Sequence, residues 1–109
     1  MYVSVTKLKL KSIFKLPLFL TLVARINKQV TQSRGNIDSE NKRINGHFCT
    51  LTHWESKNDM LAFRNSGAHG ASMNRIGRIA KATYFHGFES EKKVDWDEAL
   101  QELEKKYNQ

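Results

Sequence analysis

The histidine within the segment SGAHG is the side chain in this sequence whose type and setting best suit chemistry. His69 lies four residues before Met73, so both fall on one face of a helix that we predict over residues 67–80. A neutral imidazole can ligate iron or transfer a proton near pH 7, which makes His69 the candidate catalytic residue. A histidine that only begins a helix, hydrogen-bonded to backbone or water, has the same pattern, and both interpretations stay open.

Large apolar residues near His69 are candidates for the wall of a ligand-binding site. Trp54 could stack on a planar ligand, although a buried aromatic residue more often belongs to the core. Phe63, Met73 and Ile76 suit a packed core or a pocket wall better than a chemical role. We take these four residues as the apolar part of the candidate ligand site.

Arginines on the predicted helices could bind an anionic group of that ligand. Arg64, Arg75 and Arg78 each present a planar guanidinium that matches a carboxylate through two hydrogen bonds. We assign the ligand-binding role to Arg75. The alternative is simple solvation of a helix surface, which we prefer for Arg78.

Other chemistries find little support in the sequence. Cys49 is the single cysteine, which excludes an internal disulfide and fits a reducing compartment, so we expect a cytoplasmic protein. No Ser-His-Asp or Cys-His pattern, zinc-ligand spacing or pair of carboxylates on one apolar element is present. Hydrolysis and glycoside chemistry are therefore poorly supported.

Alternating or apolar segments predict the strands that must position these residues. We predict strands over residues 2–10, 36–43, 47–54 and 82–88, the second at a sheet edge. The first should bury one face, with a slip near Thr6 and Lys7. Asn45-Gly46 is a strong signal for a hairpin turn between the second and third strands.

Apolar residues at three- and four-residue steps predict the helices. The first covers residues 13–31, with a stripe formed by Leu16, Phe19, Leu20, Val23, Ile26 and Val30. Ser56 with Asp59 predicts the start of a short helix, which Asn65-Ser66-Gly67 ends. After the helix of residues 67–80, Asp95 begins an amphipathic C-terminal helix.

This order of elements predicts an α+β fold on the ferredoxin-like βαββαβ plan, with an added C-terminal helix. Residues 1–109 form a single domain in this interpretation. We expect the helices on one face of the sheet. A second copy of the chain would cover the other face, which predicts a homodimer.

Positive charge is concentrated in the first half of the chain. Residues 1–48 hold nine Lys or Arg against two acidic residues, whereas residues 49–109 hold nine of each. A basic half can bind nucleic acid, anionic lipid or a carboxylate ligand. We prefer a solvated lysine-rich surface to nucleic acid, because no RNA-binding aromatic motif, zinc finger or phosphate loop is present.

The N-terminal segment superficially resembles a signal peptide. Several lysines precede the apolar run LPLFLTLVA, but this run is much shorter than the ~20 residues of a membrane span. A strand-like segment also comes before it. We therefore expect folded protein here, and no transmembrane segment.

The run LTHWESKNDMLAFRNSGAH resembles the dimeric α+β barrel superfamily that includes the antibiotic-biosynthesis monooxygenases. The resembling pattern is a strand ending in Trp54, then Glu55-Ser56, then an apolar helix reaching Phe63. Within the superfamily, YVSVTKLKLKS and FRNSGAHGASM are most similar to spheroidene monooxygenase-related proteins. The resemblance covers roughly residues 2–88.

The resemblance implies a homodimer, with a pocket between the sheet and the helices of each subunit. It implies a monooxygenase-like oxidoreductase that binds a hydrophobic planar small molecule. A non-catalytic dimeric ligand-binding or interaction module of the same fold is the alternative. The cofactor is left open, with heme as one candidate, and His69 is the metal ligand only if heme is bound.

One branch of the superfamily is disfavoured by particular residues. Its heme-degrading members use an Asn on the first strand, a Trp on the helix after the WES motif, and a His further on. Those places fall on Thr6, Phe63 and Met73 in this sequence, and none matches. The mismatch argues against heme degradation of that kind, but not against heme binding through another ligand.

Overall fold

The computed structural model describes residues 1–107, and of residues 67–69, 72 and 73 it describes the backbone alone. The strands are β1 (Tyr2–Leu10), β2 (Asn36–Ile44), β3 (His47–Trp54) and β4 (Ala80–Glu89). A 3-10 turn at Ile13–Lys15 leads into the first helix. The helices are α1 (Leu16–Thr31), α2 (Lys57–Arg64), α3 (Gly67–Ile79) and α4 (Trp96–Tyr107).

The strands form one antiparallel sheet in the order β2-β3-β1-β4. The predicted ferredoxin-like α+β plan with a C-terminal helix is confirmed, as is the position of β2 at a sheet edge. Among the helices of the described residues, none has the combined length and hydropathy that crossing a membrane requires.

Local sequence signals set the boundaries of several elements as predicted. The Ser56 hydroxyl accepts a hydrogen bond from the backbone N–H of Asp59 at 3.2 Å and so caps α2. The Asp95 carboxylate accepts the N–H of Glu98 at 2.8 Å at the start of α4. Asn45 and Gly46 have φ angles of 52° and 78°, the left-handed backbone that a tight hairpin turn requires.

Strand β1 carries buried side chains on both of its faces. Val3 and Val5 pack against α4 on one face, whereas Tyr2 and Leu8 pack on the other face, where α1, α2 and α3 lie. Because successive side chains of a strand point to opposite faces, a central strand with two covered faces needs apolar residues at both parities. The strand therefore does not bury one face alone.

The slip predicted near Thr6 and Lys7 is wrong. Pairing of β1 with β3 is regular through both residues, and the irregularity in its pairing with β4 lies between Lys9 and Leu10. Along β1 the buried apolar residues switch between odd and even positions because different helices cover the two faces of the strand. A shift in register is not the cause.

Helix α4 corrects the prediction that all helices lie on one face. Val94, just before α4, and Ala99 and Leu103 within it pack on Val3, Val5 and Leu51, all of them 6% exposed or less. α4 therefore covers part of the face that we assigned to a second copy of the chain. The homodimer stays a prediction.

Two apolar clusters join the other face of the sheet to its helices. One contains Leu8, Phe19, Leu22, Ile76 and Ile79. The other contains Tyr2, Val30, Trp54 and Met60. In α1 one member of the predicted stripe is wrong, because Leu20 is 52% exposed, whereas Leu22, which we did not include, is 1% exposed.

A buried histidine connects the approach to α4 with the sheet. His53 is 2% exposed, and its Nε2 accepts the backbone N–H of Val94 at 3.1 Å. Its Nδ1 therefore carries the ring hydrogen, and this N–H donates a hydrogen bond to the Asp38 carboxylate at 2.6 Å. The other Asp38 oxygen accepts from Lys93 at 2.7 Å, so one network holds β2, β3 and the segment before α4 together.

This network lowers the pKa of Asp38. Burial raises the pKa of the carboxyl, but the hydrogen bonds from Lys93 and His53 outweigh it and bring the pKa below the ordinary value of 3.8. A pKa lowered by folding stabilises the folded state when the pH is above the ordinary value. That stabilisation is lost as the pH falls through the lowered pKa.

Replacement of Asp38 by alanine should lower the free energy of unfolding by about 1–3 kcal/mol at pH 7, because the N–H of buried His53 loses its acceptor. The deficit should shrink as the pH falls below 3.8 and through the lowered pKa of Asp38, where the carboxyl of the folded native protein becomes protonated. Urea denaturation of the native protein and Asp38→Ala at a series of pH values measures the difference in their free energies of unfolding.

Glu102→Ala is the matched control, since it removes a carboxylate from the exposed ion pair with Lys105. Surface pairs of this kind contribute about 0–1 kcal/mol. Equal losses from Asp38→Ala and Glu102→Ala would mean that the network of His53, Asp38 and Lys93 does not stabilise the fold.

Candidate functional site

A cavity of about 650 Å³ lies between the sheet and helices α1, α2 and α3. It occupies the space between the two apolar clusters on this face. Small-molecule sites usually have volumes of about 300–1,000 Å³, so the cavity has the size of a ligand site.

The floor of the cavity is unusually rich in hydroxyl groups. The pleat of β1 and β3 directs one set of alternating residues toward the helices, and on these strands the set contains polar residues between apolar ends. The polar floor consists of Ser4 and Thr6 on β1, Ser39 and Asn41 on β2, Thr50 and Thr52 on β3, and Thr83 on β4.

The walls of the cavity are apolar. α1 contributes Phe19, Val23 and Ile26, and α2 contributes Met60 and Phe63. The three α1 residues recur at steps of three and four, so they form the stripe that faces the sheet. A ligand would therefore lie between an apolar roof and a hydroxyl-bearing floor.

Three of the residues proposed from the sequence border this cavity: Trp54, Phe63 and Ile76. The side chains of His69 and Met73 lie outside the described residues. Arg75 is exposed on α3 and is not among the described residues that line the cavity, whereas Arg64 is.

Trp54 is held mainly by packing. It is 1% exposed, its indole N–H donates to the Thr52 hydroxyl at 3.0 Å, and its ring lies 5.3 Å from that of Phe63. An indole fixed on both its polar and its apolar sides is rigid. Trp54 therefore supports one end of the cavity and leaves little surface for direct stacking on a ligand.

Two cations lie at the mouth of the cavity around an exposed aromatic ring. The Arg64 guanidinium carbon is 5.3 Å and the Lys106 Nζ is 4.4 Å from the centre of the Phe85 ring. Lys106 also donates to the Phe85 carbonyl at 2.8 Å. This mouth, formed by Phe85, Arg64 and Lys106, combines two cationic side chains with an aromatic surface.

Ser39 is a site residue that we did not propose from the sequence. Its hydroxyl oxygen is buried in the lining of the cavity and has no hydrogen-bond partner among the described residues. Leaving a buried hydroxyl unpaired costs free energy that a water molecule or a ligand atom can recover. Nothing in the polar sequence of β2 distinguishes Ser39 from its neighbours, because its burial arises from the helices above.

Tyr2 places a protonated phenol at the cavity. Burial raises the pKa of Tyr2, the nearby Glu89 carboxylate raises it further, and Arg64 partly opposes the change. The phenol therefore stays protonated at neutral pH and can donate a hydrogen bond. Its ring lies over Gly87 of β4, so closely that a Cβ at Gly87 would overlap the Tyr2 hydroxyl and ring.

The two described histidines of β3 and β4, His53 and His86, are poorly placed to ligate heme in the cavity. His86 belongs to the lining, but its ring stacks on Phe88, which packs on the face of the sheet covered by α4. His53 commits both ring nitrogens to Asp38 and Val94. The described part of the chain also has no cluster of three metal-ligating side chains. Among the described lining residues, Tyr2 and Met60 carry side chains that can ligate heme iron.

Solved structures share this fold with very little sequence identity. A proposed antibiotic biosynthesis monooxygenase from Deinococcus radiodurans superposes with a TM-score of 0.78 at 15% identity, over 87% of this chain and 97% of that one. SnoaB, a cofactor-independent oxygenase from Streptomyces nogalater, gives 0.73 at 8% identity, over 85% and 95%. Rv0793 from Mycobacterium tuberculosis gives 0.75 at 9% identity, over 87% and 100%.

These similarities show the fold. The chain shares its fold with solved structures named as antibiotic biosynthesis monooxygenases, which is the fold that the resemblance of the WES-containing run implied. No protein-family profile matches the sequence, and no curated protein matches it. The particular similarity to spheroidene monooxygenase-related proteins stays a prediction.

Replacement of Gly87 by alanine should lower the free energy of unfolding by about 1–3 kcal/mol, because the added methyl group displaces the Tyr2 ring from the sheet. Thermal and urea denaturation measure the change.

Gly77→Ala is the control, since Gly77 is exposed on α3 and a Cβ there meets nothing within 4 Å. It should raise the free energy of unfolding by about 0.4–1 kcal/mol. If both substitutions have the same sign and size, the close packing of Tyr2 on Gly87 is incorrect.

Proposed function

We propose that this chain binds a hydrophobic, planar small molecule in the cavity between sheet and helices, and that it acts as a monooxygenase-like oxidoreductase. The observation that carries the ligand part is the 650 Å³ cavity with apolar walls and a hydroxyl floor. The oxygenase part is supported by the fold alone, which many chemistries can share.

The shape and chemistry of the cavity define the ligand. A flat apolar body suits the space between the α1 stripe and the sheet. One edge should carry a hydrogen-bonding group opposite Ser39, whose buried hydroxyl is unpaired. A carbonyl or anionic group would lie toward Arg64 and Lys106 at the mouth, so Arg64 takes the role that the sequence analysis gave to Arg75.

The chemical step would depend on few side chains. Tyr2 supplies a protonated phenol that can donate to a ligand oxygen. His69 is retained as the proposed proton-transfer residue, or as the iron ligand if heme is bound. SnoaB is named a cofactor-independent oxygenase, which makes oxidation without heme a coherent form of this proposal.

A binding protein without turnover is the second candidate. The described residues of the cavity lining include no carboxylate. Thr6 and Phe63 also border the cavity at two of the places where heme-degrading members carry Asn and Trp. Oxygen uptake that depends on the bound ligand separates the two candidates, since only the enzyme consumes O₂ as the ligand is oxidised.

Replacement of Thr6 by phenylalanine should weaken binding of a hydroxyanthraquinone probe at least tenfold, because the new ring fills the floor of the cavity. Fluorescence titration of the purified protein measures the dissociation constant.

In the same titration Ser39→Ala should weaken binding about fivefold without lowering stability, since it removes one unpaired hydroxyl and no internal bond.

Thr21→Phe is the matched control, because Thr21 is exposed on α1 and does not line the cavity. It should bind the probe as the native protein does. A folded Thr6→Phe protein with native affinity would show that the probe does not use this cavity.

A heme titration of the native protein and His69→Ala tests the cofactor. If heme belongs to the site, the native protein should give a saturable Soret shift that the variant loses. Absence of a shift in both proteins, with the anthraquinone still bound, would exclude heme and leave the ligand-binding proposal intact.

A further inference from the structure

The turn before α1 exposes apolar side chains that the fold does not use. Phe14 is 89% and Ile13 is 62% exposed within the 3-10 turn, and Leu18 is 43% exposed in the first turn of α1. Single exposed apolar residues are ordinary, but three within six positions form a projecting patch. Neither apolar cluster that joins the helices to this face includes them.

Lysines surround this patch. Lys9, Lys11 and Lys15 are all exposed; the first two precede the apolar residues of the turn, and Lys15 follows them directly. Residues 1–37 contain seven Lys or Arg and no Asp or Glu. The patch is therefore apolar at its centre and positive at its margin.

The strand register extends this positive charge across one whole end of the molecule. Leu8 pairs with Phe48 and Leu10 with Ala80, so the β2–β3 turn and the start of β4 lie at the same end as the 3-10 turn. The segments at this basic end are residues 7–18, 42–48 and 75–83. Together they contain nine Lys or Arg and no acidic residue.

Acidic residues lie elsewhere in the fold. Glu89 pairs with Tyr2 at the opposite end of β1, and Asp38 pairs with His53 near the same end. Asp95 begins α4, close to that network. The molecule therefore has an electrostatic polarity along the strands, which would orient it at a charged surface.

We propose that the basic end docks on an anionic phospholipid bilayer, with Ile13, Phe14 and Leu18 inserted at the interface and the surrounding lysines on the headgroup phosphates. Apolar and aromatic side chains within a cationic margin bind such interfaces through burial and charge together. A nucleic acid would satisfy the lysines, but Ile13 and Leu18 neither stack on bases nor contact phosphates.

Docking in this orientation would bring the cavity close to the lipid. The same helix that would touch the bilayer with Leu18 lines the cavity with Phe19 and Val23 on its other side. A lipophilic ligand could then move from the bilayer to the mouth of the cavity. This last step rests on the proposed function, whereas the docking itself does not.

Flotation of the purified chain of residues 1–109 with vesicles tests the docking without any cavity ligand. The protein should float with phosphatidylcholine–phosphatidylglycerol vesicles and not with phosphatidylcholine alone, and added salt should release it. Phe14→Ser should weaken binding to the anionic vesicles about tenfold, because it removes the most exposed apolar side chain and no internal contact of the clusters.

Matched pairs of variants identify the surface. Ile13→Ser should weaken vesicle binding, whereas Ile37→Ser, at a 39% exposed isoleucine near the opposite end of the sheet, should not. Lys11→Glu should weaken it as well, and Lys92→Glu should have much less effect.

Three results would overturn the proposal. One is the absence of flotation with anionic vesicles at low salt. Another is flotation that Phe14→Ser leaves unchanged, which would mean charge attraction without insertion. The third is self-association or nucleic-acid binding that Phe14→Ser abolishes in a protein that does not bind vesicles. Anthraquinone binding is measured separately, so failure of docking leaves the cavity ligand unaffected.

Discussion

Apolar side chains project from both faces of the inner strand β1. The need to bury them determines where helices α1 to α4 pack on the sheet. Val3 and Val5 require cover on one face, which α4 provides. Tyr2 and Leu8 require cover on the other, which α1, α2 and α3 provide. Because a strand alternates its side chains, no single layer of helices could satisfy all four residues. The segment before α4 is then held by His53, whose two ring nitrogens are both used.

The cavity follows from how that second face is divided. Tyr2 and Leu8 are apolar at the two ends of β1, but Ser4 and Thr6 between them are not, so the helices pack at the ends and leave the middle open. A hydroxyl floor under apolar walls is poor packing for a core, since hydroxyls need partners and Ser39 has none within the described residues. The same arrangement is well suited to an apolar ligand with a polar edge.

Positive charge and exposed apolar side chains are concentrated at one end of the molecule. The basic end carries Phe14 outward, whereas the acidic residues of β4 and of the segment before α4 lie toward the other end. Two more cationic side chains, Arg64 and Lys106, lie around Phe85 at the mouth of the cavity. Ligand selection and placement in the cell are in this view separate properties, one carried by the mouth and floor of the cavity and the other by the turn before α1.

The sequence alone was enough to predict tight turns and the starts of helices. Asn45-Gly46 determined the hairpin and Asp95 the start of α4, because a left-handed turn or a helix cap depends on one or two neighbouring residues. The plan of the fold, and Trp54 and Phe63 beside the cavity, followed from periodicity and resemblance. Only the tertiary structure decided that α4 crosses the opposite face and that Arg64, not Arg75, reaches the cavity. These placements depend on which elements far apart in the sequence pack together. Side-chain periodicity predicts which face of an element is buried, but not the element against which it packs.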